Sequence, residues 1–191
     1  MPVGQRFYYQ QKAKVIDGTR CNDESYDVCV DGMCQPVGCD MMLGSDAKED
    51  KCRKCQGDGS SCKTVQDTFT SSNLAAGYND ILLIPSGATN IRIQETAPSN
   101  NYLACRNLSS HFYLNGNWRI DFPRPTQFAG CWWNYQRKPI GFAAPDELTC
   151  SGPTTESLFI VMLVQDRNVS IDYEYSIPQS LSSSVPDVYT W

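Results

Sequence analysis

Gly38-Cys39-Asp40-Met41-Met42-Leu43-Gly44-Ser45-Asp46-Ala47-Lys48-Glu49-Asp50-Lys51-Cys52-Arg53-Lys54-Cys55-Gln56-Gly57-Asp58-Gly59-Ser60-Ser61-Cys62 is the stretch whose reading decides the fold. Its only large apolar side chains are Met41, Met42 and Leu43. A segment this poor in apolar surface needs a covalent hold, and its four cysteines supply the candidates. Seven of the ten cysteines of the chain lie before position 63, at 21, 29, 34, 39, 52, 55 and 62, and the other three are at 105, 131 and 150. That density reads as a disulfide scaffold made in an oxidising compartment. Zinc fits less well: Cys52-Arg53-Lys54-Cys55 is one knuckle, but the only histidine, His111, is far away. Calcium fails on spacing, because Asp40, Asp46, Glu49, Asp50 and Asp58 lack the alternate positions and late glutamate of an EF-hand loop. They read as a solvated loop. A thioredoxin-like use of the Cys-x-x-Cys pair lacks its βαβ surroundings.

The 191 residues suffice for one ordinary domain and a small satellite. No apolar run approaches the roughly 20 residues of a membrane helix, so no membrane insertion is expected. Met1-Pro2-Val3-Gly4 leads into polar residues and not into the apolar core of a signal peptide. A cysteine-rich chain of this kind is expected to be part of a larger secreted protein. The net charge is −5 and no Lys/Arg cluster forms a nucleic-acid footprint, so nucleic acid is set aside.

Outward from the stretch, Phe7-Tyr8-Tyr9 with Val15 and Ile16 reads as a short strand or extended arm whose aromatics pack on the succeeding residues or form a ligand platform. Val28-Cys29-Val30 and Met33-Cys34 flank Asp31-Gly32, a hairpin signal. After Lys63 short apolar runs take over. Ile81-Leu82-Leu83-Ile84 ends at Pro85-Ser86-Gly87, and Asn90-Ile91-Arg92-Ile93-Gln94 alternates, burying one face. Tyr102 to Cys105 and Trp132 to Tyr135 read as further strands. Phe112-Tyr113-Leu114 and Trp118-Arg119-Ile120 flank Asn115-Gly116, which predicts a hairpin. Leu158 to Val164 is apolar on both faces, as in a central strand. Val169, Ile171, Tyr173 and Tyr175 alternate on one side of a last strand. Short strands with regular turns predict a mainly β chain: a disulfide-stapled cysteine-rich subdomain, then an antiparallel β-sandwich or jelly-roll. Gln179 to Pro186 is serine-rich and reads as a linker. Asn107-Leu108-Ser109 and Asn168-Val169-Ser170 are glycosylation sequons, so Asn107 and Asn168 are expected to carry glycans on solvent-facing positions.

Asp17-Gly18-Thr19-Arg20-Cys21, Val28 to Cys34, Val37-Gly38-Cys39-Asp40, Glu49-Asp50-Lys51-Cys52 and Cys55 to Cys62 together closely resemble the end of the cysteine-rich domain of ADAMTS proteases and ADAMTS-like proteins. The rest is similar to their spacer domain, through Gly77-Tyr78-Asn79, Ile84 to Ile91, Tyr102-Leu103-Ala104, Tyr113 to Gly116, Gly152-Pro153-Thr154 and Tyr173-Glu174-Tyr175. The resemblance covers nearly the whole chain. It implies a cysteine-rich part over 1–62, a spacer over 63–178 and a linker over 179–191 toward a thrombospondin type 1 repeat. It also implies bridges Cys21–Cys34, Cys39–Cys55 and Cys52–Cys62, with Cys29 paired to a cysteine upstream and so free or mispaired here. The two overlapping bridges would make the stretch a rigid connector. The family implies no pairing for the three later cysteines; Cys131 with Cys150, across neighbouring strands, is the expectation, leaving Cys105 over.

A metalloprotease of this family needs a zinc helix with several histidines, and one isolated histidine cannot supply it. No enzyme and no cofactor or metal is therefore expected. Within the family, Phe7-Tyr8-Tyr9, Val15 to Thr19 and Asp50-Lys51-Cys52 look most like a matrix glycoprotein without a protease domain. That implies a secreted, extracellular-matrix module of basement membrane that binds matrix proteins or ADAMTS proteases. The alternative is the substrate-recognising exosite module of an ADAMTS protease. A glycosaminoglycan partner is disfavoured by the acidic balance, though Arg53-Lys54 and Arg137-Lys138 are basic spots. Arg137 and Lys138 with Trp132 and Trp133 are the candidate contact residues, because aromatics and arginine dominate interface hot spots. The loop Gln165 to Asn168 is discounted, since a glycan on Asn168 would cover part of it.

Overall fold

The computed structural model describes residues 14–22, 25–137 and 143–181. The aromatic cluster at 7–9, Lys138 and most of the serine-rich tail lie outside them. The chain forms two compact units that divide between Lys48 and Glu49.

The first unit contains one hairpin, β1 (Val28–Val30) and β2 (Met33–Gln35). Asp31 and Gly32 both take positive φ at its turn, 52° and 80°, as the Asp-Gly dipeptide requires. Cys21–Cys34 closes this unit, while Cys29 is buried as a free thiol. Asp27 accepts from the amide of Val37, and Asp40, one of the carboxylates expected to lie in a solvated loop, accepts from Met42 N and Ser45 Oγ.

The second unit is an antiparallel β-sandwich. It comprises β3 (Cys62–Ser71), β4 (Gly77–Ile84), β5 (Thr89–Glu95), β6 (Tyr102–Asn107), β7 (Phe112–Leu114), β8 (Pro125–Phe128), β9 (Cys131–Arg137), β10 (Asp146–Cys150), β11 (Leu158–Val164) and β12 (Val169–Pro178). One sheet has the order β3-β12-β5-β10-β9-β8, the other β4-β11-β6-β7. Ile91, Ile93, Leu148, Trp133, Ile171 and Tyr173 from the first face Leu82, Leu103, Leu158, Ile160 and Met162 from the second. β11 is the central strand its apolar run predicts, paired on both sides. Cys131 and Cys150 are bonded, joining the ends of β9 and β10; Cys105 is the buried free thiol of the core.

The two compact units divide within the cysteine-rich stretch. Residues from Glu49 onward are built into the sandwich unit. Cys52–Cys62 ties this loop to the first residue of β3, Thr89 Oγ1 donates to Lys51 O, and Gln179 Nε2 donates to Ser60 O. Cys55, in the same loop, is itself a disulfide-bonded cysteine. Asp50 organises the loop: its Oδ1 accepts from Cys52 N and Lys54 N and its Oδ2 from Gly59 N. The Lys54 amide, with those of Gly59 and Cys52, holds its pKa below the ordinary carboxylate value.

Two short motifs far apart in sequence meet at one corner. Thr154 N donates to Ala88 O, Ala88 N donates back to Thr154 Oγ1, and Thr154 Oγ1 donates to Pro85 O. Gly152 (φ 73°) lies so close that a Cβ there would collide with Ala88 O, which fixes glycine at this position.

One expected strand is absent. Trp118-Arg119-Ile120 does not pair with β7; residues 115–124 form a loop between β7 and β8. The Asn115-Gly116 hairpin signal is overridden because the Asn115 side chain is drawn into the interior. Its Nδ2 donates to Leu103 O and its Oδ1 accepts from Asp121 N, while Asp121 Oδ2 accepts from Asn115 N. That reciprocal pair closes the loop on itself, and β7 remains the edge strand of its sheet.

Candidate protein-binding groove

The alternation of β5 puts Ile91 and Ile93 inward, and the next inward position is Glu95. On the adjacent β10 the inward series is Asp146, Leu148 and Cys150. Two carboxylates therefore enter the interior at the same end of the sandwich, and both must be satisfied there.

Arg137, the last residue of β9, serves Asp146. Its Nη1 donates to Asp146 Oδ1 at 2.6 Å and to Asn101 O at 2.8 Å, and its Nη2 donates to Ser99 O at 3.0 Å. Its guanidinium lies 4.1 Å from the ring centre of Tyr102. Asp146 is fully buried and its Oδ2 also accepts from Leu103 N and Tyr135 Oη. Burial raises the Asp146 pKa and the Arg137 hydrogen bond opposes that rise. Glu95 accepts from Ser99 Oγ at 2.6 Å and from Asp146 N at 2.8 Å. Asn101 then links the neighbouring turn, its Oδ1 accepting from Gln165 N and Asp166 N, and the Asp166 carboxylate accepts from Asn100 N.

The network ties the loop after β5 (95–99) to the β11–β12 turn (166–170), and pairing with β12 holds the end of β3 (70–72) beside them. Between them lies a groove of about 670 Å³, with Glu95 at its floor and Arg167 and Asn168 on its rim. Its lining is rich in hydroxyls, with Thr70, Ser71, Ser72, Thr96 and Ser99, and it has a small apolar patch at Ala97, Pro98 and Val169. Such a surface offers donors, acceptors and modest apolar contact to an extended polypeptide or a sugar. Among the described residues, no group of three or more His, Cys, Asp or Glu is arranged to hold a metal ion.

Burial pushes the Glu95 pKa up from 4.5 to about 7, with the Ser99 and Asp146 hydrogen bonds limiting the rise. Between these values the folded protein holds a proton that the unfolded chain releases. Stability contributed at this site therefore falls as pH rises from about 4.5, and the loss is complete above about 7. Glu95→Gln removes the titration. We expect the variant to gain up to about 3 kcal/mol relative to the native chain between pH 4.5 and pH 7.5. Denaturant unfolding across that range checks this, and parallel pH profiles for the two proteins contradict it.

The four candidate contact residues do not gather at this groove. Trp133 is fully buried and stacks on Phe128, with centroids 4.9 Å apart, so it is a core residue and not a contact. Arg137 is only 14% exposed and its guanidinium is used inward, which removes it from the candidate contacts as well. The parity of β9 explains both: Cys131, Trp133 and Tyr135 are buried and Arg137 continues their phase. Trp132 points to the opposite face and is half-buried. Lys138 lies outside the described residues. Of the sequon residues, Asn168 is exposed on the groove rim. Asn107 is half-buried, its Oδ1 accepting from Ser109 N and His111 N.

Residues 64–178 match the family described as ADAM-TS Spacer 1, and residues 1–62 match the ADAMTS cysteine-rich domain. The chain is 74% identical to papilin of Drosophila melanogaster over 191 residues, all of this chain and 7% of that protein. It is 47% identical to papilin of Mus musculus over 178 residues, 93% of this chain and 14% of that protein. It is 40% identical to human A disintegrin and metalloproteinase with thrombospondin motifs 6 over 190 residues, 98% of this chain and 17% of that protein. The chain thus spans a small part of the relatives it matches.

Proposed function

Because the chain belongs to the ADAMTS and ADAMTS-like family, matching its cysteine-rich and spacer domains, we propose that it is a non-catalytic binding module of the basement-membrane matrix. Its partners are matrix proteins or ADAMTS proteases, and its effect is to support matrix assembly or to modulate those proteases. The observation that carries the reading is the groove: a concavity preset by a buried ionic network on a disulfide-braced sandwich needs little ordering when a partner arrives. The greater likeness to papilin than to the metalloproteinases favours a matrix glycoprotein over a protease exosite. Secretion suits the disulfides, and a glycan at Asn107 suits the secretory route, whereas binding at the groove requires Asn168, on its rim, to be free of glycan.

The test immobilises the purified chain and passes over it a solubilised basement-membrane extract and, separately, purified ADAMTS proteases. The comparison is a variant with Ala97→Arg and Arg167→Glu, both exposed positions on the groove wall and rim. Retention that falls at least about tenfold in the variant, at unchanged melting temperature, supports the reading. Equal retention by both proteins removes the groove, and retention by neither removes the binding function. A heparin arm separates protein partners from a glycosaminoglycan.

A further inference from the structure

A second surface stands apart from that groove reading and does not rest on it. Trp118, Ile120 and Phe122 are 70%, 41% and 86% exposed, three large apolar side chains within five residues of the β7–β8 loop. Scattered surface apolar residues are ordinary; a cluster displayed on one short loop is not. The loop is also held in place. Trp118 sits in the left-handed region at φ 58°, with Asn115 and Asn117 at 51° and 53°. Tyr78 Oη donates to Asn115 O and accepts from Trp118 N at 2.8 Å, and the Trp118 ring meets the Tyr78 ring edge-on with centroids 5.5 Å apart. The hydrogen bonds of Asn115 with Asp121 close the base of the loop. A bulky residue held at positive φ with its ring still exposed is presented, not packed away.

Charge selects what such a loop meets. Arg119 and Arg124 are exposed and neither enters an ion pair among the described residues. The loop's one carboxylate, Asp121, accepts from the Asn115 amide. In a chain of net charge −5 this is a local cationic and aromatic site. We propose that the β7–β8 loop is a docking site for an extended acidic polypeptide segment carrying a large apolar side chain, with the aromatics taking the apolar group and Arg119 and Arg124 flanking it. The two arginines are five residues apart, so at most about 18 Å of chain separates them, within reach of one short segment.

The experiment uses the full chain and two immobilised peptide pools. One pool is of acidic twelve-residue peptides with a central Leu, Phe or Trp; the other replaces every acidic residue by lysine. The acidic pool is expected to bind and the basic pool not to. Phe122→Ser, at a position too exposed to affect folding, is expected to weaken binding at least about tenfold, as loss of an aromatic anchor does. Arg119→Glu with Arg124→Glu is expected to invert the preference between pools. Equal binding of both pools, or binding indifferent to these variants, overturns the proposal. Sedimentation showing a dimer that Phe122→Ser dissolves also overturns it, by assigning the loop to a second copy of the chain. So does loop-dependent retention on heparin with no preference between the peptide pools.

Discussion

Arg137→Ala is expected to lower the stability of the sandwich unit by about 3–5 kcal/mol at pH 7.5, a fall of about 6–20 °C in melting temperature. The reason is what stays behind. Asp146 is fully buried and would keep Leu103 N and Tyr135 Oη but lose its one cationic partner among the described residues. Asn101 O would lose the Arg137 donor at the same stroke, and Ser99 O would keep only the amide of Ala144. Burial already raises the Asp146 pKa, and removing the arginine that opposes this raises it further. The damage should therefore shrink as pH falls and the orphaned carboxyl takes up a proton. Arg137→Lys should recover only part of the loss, because an ammonium cannot reproduce the planar fork that serves three oxygens. Chemical unfolding of the three proteins at two pH values decides it; a loss under about 1 kcal/mol in Arg137→Ala would show that the network is not structural.

Trp133→Ala should cost a similar amount, about 3–5 kcal/mol. Trp133 ends a run of stacked rings, Tyr113–Phe128–Trp133, with successive centroids 4.9 Å apart. Tyr113 belongs to β7 in one sheet, whereas Phe128 and Trp133 belong to β8 and β9 in the other. The stack thus seams the two sheets, and its removal opens a cavity at their junction. The indole also donates from Nε1 to Phe128 O at 3.2 Å. Trp133→Phe keeps the stack and loses that bond, so it should cost roughly 1–2 kcal/mol. The neighbouring Trp132→Ala, on the opposite face of β9, should cost less than about 1 kcal/mol. Equal losses at 132 and 133 would contradict the register of the strand.

Period-two patterns made much of the sandwich readable. The alternation in β5 and β12 and the continuous apolar run of β11 mark strands, because burial on one face or on both dictates those compositions. The same parity, carried one step further, marks the buried network. Glu95 comes two residues after Ile93, Asp146 two before Leu148, and Arg137 two after Tyr135, so three charges occupy inward positions. Read only as a surface composition, Arg137 and Trp133 look like hot-spot residues. Read by phase, with Asn134 and Gln136 marking the outer face, they belong inside. The groove itself was not legible, since it arises where three loops distant in sequence converge. Nor was the Trp118 loop, because Asn115-Gly116 signals a turn locally and the bonds of Asn115 to Leu103 and Asp121 that override it are tertiary. The joining of residues from Glu49 onward to the sandwich unit was not legible for a related reason: bonds such as Thr89 to Lys51 O are made only once the sandwich exists.

If the end-loop groove, and not the buried Arg137 and Trp133, is the face that meets a partner, a charge placed in its wall must weaken that contact. The decisive quantity is the affinity of a matrix component retained by the native chain, measured again with Ala97→Arg at matched melting temperature. An affinity at least about tenfold weaker with the fold intact is expected. An unchanged affinity at unchanged melting temperature would contradict the assignment of the groove as the binding face.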